Sequence, residues 1–229
     1  MDIVATETLT LGRIERRRAV DDVHASIREA ILSRRFYPGM RLNVDELAEQ
    51  LGVSLTPVRS AIQLLAAEGL VDVHSRSGSF VATLSRRDLA ETFDIRCALE
   101  CLAAENGIVG ITDEAIQNAR KQLAILAKPV RTPLQRQAHE QANSELHQII
   151  IDSSGNKRLA DMYDSLQAHI AMGRLHNADE SWQLRLEQEQ AEHEEIVEAM
   201  ARRDSDGLVS ALRSHIMRAK SVLLERMAE

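Results

Sequence analysis

Cysteine is scarce: Cys97 and Cys101 are the only two in the 229 residues. In a cytosolic chain no disulfide is expected between them, and two thiols alone do not make a zinc site. Four apart on an apolar helical face, they read as small buried hydrophobes. Long apolar runs are missing too. None approaches the roughly 18 uninterrupted residues of a membrane-spanning helix, so no membrane partner is expected. The N-terminus, with Asp2 and Glu7, lacks a secretory pattern, and the expected location is cytoplasmic. Internal repeats and low-complexity linkers are absent, and no strand pattern interrupts the chain beyond Ser85.

What the chain has is length for two domains and, at 44% apolar residues, enough to fill a core in each. The boundary is expected near Ser85, with 1–84 as one domain (ordered core about 20–83) and 85–229 as the other. The net charge of −7 is unevenly spread between them. Residues 1–87 hold 12 Lys+Arg against 11 Asp+Glu, net +1, whereas 88–229 hold 16 against 24, net −8. Nucleic-acid affinity depends on local patches rather than on the sum, so a DNA surface fits the first domain only. Arg16, Arg17 and Arg18 form a basic arm before the first helix, either a solvated charge run or a non-specific phosphate contact.

Residues 44–81 read VDELAEQLGVSLTPVRSAIQLLAAEGLVDVHSRSGSFV, which spells two short helices, a tight turn and a hairpin. Val44, Leu47, Ala48 and Leu51 have the i, i+3, i+4, i+7 spacing of one buried helical face, and Gly52 supplies the positive φ of a helix end. A second helix is expected to start at Thr56-Pro57, a capping hydroxyl before a proline at the first helical position. Val58, Ala61, Ile62, Leu65 and Ala66 form its buried stripe. Ser54, Leu55, Thr56 and Arg59 are left on the solvent side of its first turn, where a recognition helix touches base edges and phosphates. Beyond Gly69 the period changes. Runs at 70–74 and 79–82 flank Ser75-Arg76-Ser77-Gly78, the signal of a β-hairpin wing.

The segments PGMRL, LAEQLGVSLTPVRSAIQLLAAEGLV and GSFV resemble the N-terminal domain of GntR-type bacterial transcription regulators over roughly residues 20–83. The resemblance implies a double-stranded DNA partner, with Arg59 as a contact on the recognition helix and His74, Arg76 and Gly78 at the wing. The alternative is a winged helix used for protein contacts, with Arg59 a solvated charge. One departure matters. Members usually carry an arginine where this chain has Leu55, so a guanine-reading fork is replaced by an apolar side chain suited to a thymine methyl.

From Ser85 onward, segments 85–110, 112–128, about 133–154, 156–177, about 180–203 and 205–228 each show a 3.6-residue apolar period. Six helices on short loops make an antiparallel bundle, so the fold class is mainly α, with a small hairpin wing in the first domain. Asn143 and His147 lie one turn apart on one helix face, and His193 and His215 sit on later helices among inward-pointing apolar neighbours. Spacing alone leaves two readings: three imidazoles converging as metal ligands, or unrelated histidines.

FDIRCALE, NSELHQIIIDSSGN, EHEEIVEAMARRD and ALRSHI resemble the FCD-type domain of the FadR branch of GntR regulators. In that family an Asp and three His hold a divalent metal. His147, His193 and His215 fall on the His positions and Asn143 on the Asp position, which implies a divalent transition metal, zinc or nickel, held with one negative charge fewer. Arg96 matches a family arginine. Two roles stand open: a bidentate contact to a carboxylate effector, or an i, i+4 pair with Glu100 that ties helix to helix.

The expected function is therefore a homodimeric, ligand-responsive transcription factor, in the sense of a repressor, on a palindromic operator, sensing a small carboxylate effector in its helical domain. No enzyme activity is expected. The competing classes are a metal-dependent enzyme fused to a nucleic-acid module and an effector-independent DNA-binding protein. The enzyme would need a general acid or base beside the metal, and for Glu189, Glu194 and Asp152 a solvated helix face is sufficient explanation.

Overall fold

The structure is a computed structural model that describes residues 17–175 and 182–227. The elements run α1 (Arg17–Leu32), β1 (Arg41–Leu42), α2 (Val44–Leu51), α3 (Leu55–Ala67), β2 (Val71–His74), β3 (Gly78–Val81) and α4 (Arg86–Gly107). There follow a 3-10 turn at Ile108–Gly110, α5 (Asp113–Leu126), α6 (Pro133–Ser153), α7 (Lys157–Leu175), α8 (Trp182–Arg202) and α9 (Ser205–Arg226).

Helix α1 buries Val23, Ile27, Ala30 and Ile31, a stripe spaced for one helical face, against α3. The arginine run divides here: Arg17 and Arg18 belong to the first turn of α1 rather than to an arm, and Arg16 lies outside the described residues. In α2, Asn43 caps the N-terminus by accepting from the Asp45 N–H, and Gly52 closes the helix at φ +66°. Leu47 and Ala48 are buried as expected, but Leu51 faces solvent, because the helix ends there and its last turn overhangs the core.

The start of α3 corrects the sequence expectation. The helix begins at Leu55 with Ser54 as the extended cap residue, and Thr56 lies inside the first turn instead of capping it. The proline is still tolerated because its missing N–H falls among the unpaired donors of a first turn. Val58, Ala61, Ile62 and Leu65 form the buried stripe.

The wing is a three-stranded antiparallel sheet in the order β1-β3-β2, one strand more than the hairpin signal implied. Arg41 and Leu42 of the PGMRL segment pair with Phe80 and Ser79. A two-residue strand carries no periodicity to read. Leu70 and Ala82, expected inside the hairpin, lie just beyond the strands and are joined by a single backbone bond of 2.9 Å.

Three of the bundle helices start on capping side chains: Ser85 with Asp88 as a reciprocal box, Thr112, and Asp204. Thr132 and Gln135 form a second box before Pro133. Helix α4 lies at the centre, packed against α6, α7 and α9, and α8 lies against α5 and α9. Because α4 has neighbours on several sides it buries residues all round, including Arg96 and Glu100 as well as Phe93 and Ala103. Cys97 and Cys101 are free and buried, and burial pushes the Cys101 thiol up to about 12. Both cysteines fill space in the core, and the raised Cys101 thiol is unreactive. The apolar core runs without a break from α1 and α3 through Leu84, Leu89 and Phe93 into the bundle.

Candidate functional site

The first turn of α3 presents Ser54, Leu55, Thr56 and Arg59 to solvent, while Val58 and Ala61 between them are fully buried. His74, Arg76 and Gly78 lie at the end of the wing: His74 pairs with Gly78 across the hairpin and its ring meets Phe80 at 5.6 Å. Among the described residues neither Arg59 nor Arg76 is ion-paired. Leu55 is an exposed leucine on this polar turn, at 37% of its full area, so the departure from the family arginine puts an apolar side chain on the reading face.

The second constellation is internal. His147 on α6, His193 on α8 and His215 on α9 bring ring nitrogens within 4.8 Å of one another, all three side chains being buried. Ring centroids are 5.9 Å apart for His147–His193, 5.2 Å for His147–His215 and 4.6 Å for His193–His215. Asn143, one turn before His147, is buried as well.

Carboxylates hold two of the rings. His147 Nδ1 lies 2.6 Å from Glu100 Oε2, and His215 Nδ1 lies 2.8 Å from Glu192 Oε2. An ionised carboxylate only accepts, so each Nδ1 carries the proton and each Nε2 keeps its lone pair. A carboxylate behind the far nitrogen is the usual support of a metal-binding imidazole. The Nε2 of His147 is buried and has no hydrogen-bond partner. The donor set therefore fits a cation.

Burial lowers the His147 pKa from 6.5 to about 3 against the opposing pull of Glu100, and the Arg96 charge works in the same direction as burial. Burial likewise lowers His215. Both rings are neutral at neutral pH, the form that binds metal. Burial alone would raise the Glu100 carboxyl, but the Arg96 charge and the His147 contact hold it well below the usual carboxylate range.

Arg96 is 1% exposed, and its Nε donates to Glu100 Oε1 at 2.7 Å, so the i, i+4 tie exists and is wholly internal. Tyr163 on α7 donates to the same oxygen at 3.0 Å. The Nη2 of Arg96 is buried without a hydrogen-bond partner. Sequence reasoning missed Tyr163, Glu192 and Arg218. Glu192 is gripped by Arg218 through Nε and, at 2.7 Å, through Nη2. Tyr163 is one of only two tyrosines, the one weak signal available, whereas Glu192 meets His215 only across the α8–α9 pair. Of the acidic residues weighed for catalysis, Glu194 and Asp152 are exposed, and Glu189 lies at the edge of the Arg218 pair.

Comparison with known proteins places this arrangement in a class. The model of bacterial regulatory proteins of the gntR family matches residues 19–81, and that of the FCD domain matches residues 91–218. The second match alone spans more than half of the chain, which belongs to the GntR family of bacterial DNA-binding transcription regulators, in the group carrying an FCD domain. The family is one of regulators and not of enzymes.

YdhC of Bacillus subtilis (strain 168), an HTH-type transcriptional regulator, is 28% identical over 191 residues, 83% of either chain. The Nta operon transcriptional regulator of Aminobacter aminovorans is 29% identical over 85% of this chain and 89% of its own. A probable D-xylose utilization operon transcriptional repressor of Paenarthrobacter nicotinovorans is 28% identical over 90% and 89%. Among solved structures, E. coli McbR/YncC superposes with a TM-score of 0.73 at 23% identity, covering 90% of this chain and 97% of that one, and shows the shared fold. No helix of the described residues is long and apolar enough to cross a membrane.

Proposed function

We propose that the chain is a ligand-responsive repressor acting in the cytoplasm, with 1–84 as its DNA-binding domain and 85–229 as its effector-binding and dimerisation domain. As a homodimer it binds a palindromic operator through Ser54, Leu55, Thr56 and Arg59 on α3 and His74, Arg76 and Gly78 on the wing. A divalent transition metal, zinc or nickel, is held by His147, His193 and His215 with Asn143. Beside it Arg96 takes one carboxylate of a small organic acid. The observation that carries this reading is the buried histidine trio with a bare imidazole nitrogen and a bare guanidinium nitrogen in the same core. A cation and Arg96 together would neutralise an anion that an apolar interior would reject. An effector-independent DNA-binding protein has no use for such a centre and would close its core with apolar side chains.

The test is DNA affinity measured against mono-, di- and tricarboxylates with zinc or nickel present. One acid should change affinity about five- to hundredfold, the usual range of coupling between sites. Arg96→Lys, which keeps the charge and loses the fork, should blunt that response. An acid acting equally on both proteins would remove Arg96 from the effector site, and no response from the parent would remove the carboxylate.

On the DNA side, Arg59→Ala should weaken specific binding by about 1–3 kcal/mol and relax choice at one operator position. Leu55→Arg should shift the base preferred opposite that residue toward guanine. Selection from a random duplex pool reads both outcomes. An unchanged profile for Leu55→Arg would show that residue 55 does not reach a base edge.

A further inference from the structure

We infer that Arg41, on the short strand β1, is a phosphate-binding residue of the DNA interface, its guanidinium lying against Gly78 at the wing tip. The inference rests on the DNA-reading surface proposed above and adds to it a residue from a different part of the chain. In the β1–β3 register Arg41 stands opposite Phe80, and Gly78 lies two residues further toward the turn on the same face of β3. The guanidinium leans along that diagonal. A Cβ built on Gly78 would lie 3.4 Å from Arg41 Nε, 3.6 Å from Nη2 and 4.0 Å from Cζ. These are ordinary van der Waals distances, so the guanidinium lies alongside Gly78, and the φ of +105° there is what disfavours any other residue.

The neighbour Leu42 is buried, so alternation puts Arg41 on the open face of the sheet. His74 pairs with Gly78 across the hairpin and Arg76 lies two residues before that glycine in the turn, so three basic residues belong to the wing tip. Several arginines of this fold find carboxylates: Arg28 with Glu68, Arg203 with Asp113, Arg218 with Glu192. Arg41 and Arg76 are ion-paired with none among the described residues. Two open guanidiniums at the tip of a wing, beside a recognition helix whose own first turn carries a single arginine, have the donor geometry for phosphate oxygens. Phosphate contacts position the protein and carry no base preference.

Salt dependence of binding isolates such a contact, and a random-sequence duplex serves as probe beside one selected from a random pool. Arg41→Ala should reduce the slope of log affinity against log salt by about one. It should weaken both duplexes about five- to tenfold at ~0.1 M salt. Arg41→Lys, which keeps the charge, should retain the parent slope. Lys157→Ala, removing an exposed ion-paired charge on the bundle, is the control and should change neither quantity. Arg41→Ala with the parent slope would overturn the inference while leaving the recognition-helix assignment intact. A loss confined to the selected duplex would overturn it as well, by showing base reading instead. Absence of binding by the parent to either duplex would overturn the DNA-reading surface itself.

Discussion

Glu100→Ala is expected to destabilise the folded chain by about 3–5 kcal/mol, a large part of the 5–15 kcal/mol that typically separates folded from unfolded states. The carboxylate is fully buried and serves three donors: Arg96 Nε, the Tyr163 hydroxyl and His147 Nδ1. Its removal leaves a guanidinium charge at 1% exposure with no counter-ion and takes the acceptor from His147 Nδ1. The double replacement Arg96→Met with Glu100→Leu should recover most of the loss, because a buried ion pair exchanged for apolar groups of similar volume is often close to neutral. Urea unfolding followed by circular dichroism checks both. A cost near 1 kcal/mol for Glu100→Ala would mean that Arg96 is neutralised by another group.

The same cluster makes the metal-free protein acid-sensitive early. The His147 pKa is depressed on folding, from 6.5 to about 3, and that of His215 is depressed too. Below pH 6.5 the unfolded chain takes up protons that the folded chain refuses, so stability is complete above that pH and is lost as pH falls toward about 3. Each histidine can contribute a slope of at most about 1.4 kcal/mol per pH unit. Stability measured by unfolding in the presence of a chelator should therefore fall between pH 6.5 and 5, before ordinary carboxylates protonate. Constant stability over that interval would contradict the burial argument.

His193→Ala is expected to weaken divalent-metal binding by about 100-fold or more. Loss of an outer carboxylate that only orients a ligand typically costs 10–100-fold, and loss of one of three imidazoles removes a bond to the ion itself. Asn143→Asp should act in the opposite direction, since it replaces a neutral amide oxygen with an anionic one at the same reach one turn before His147. Competition against a chromophoric chelator gives both changes, and elemental analysis of protein purified without chelator identifies the ion. Failure of both the parent and Asn143→Asp to bind zinc or nickel would remove the metal from the proposed mechanism.

Local rules were enough for much of this protein. The i, i+3, i+4 stripe of α3 and the helix stop at Gly52 depend on neighbours within a turn or two, and these were readable from the chain. The first residue of α3 was not, because Ser54 and Thr56 both offer a capping hydroxyl and only the backbone dihedrals distinguish them. Leu51 was read inward on spacing that continues to the end of α2, where the core no longer does.

What the sequence determined by itself was the helices and the hairpin, the class of regulator and the residue types that matter. Periodicity and motif spacing are properties of contiguous segments, and so they survive without coordinates. The tertiary structure alone decided which distant groups meet. His215 lies 68 residues beyond His147 in the chain, yet their rings come within 5.2 Å of each other between packed helices. Glu100 supports His147 from another helix, Glu192 supports His215, and Arg41 reaches Gly78 across a sheet in which β1 pairs with β3. These are contacts between side chains separated by whole helices or strands, set by packing against a shared core, and no local pattern encodes them.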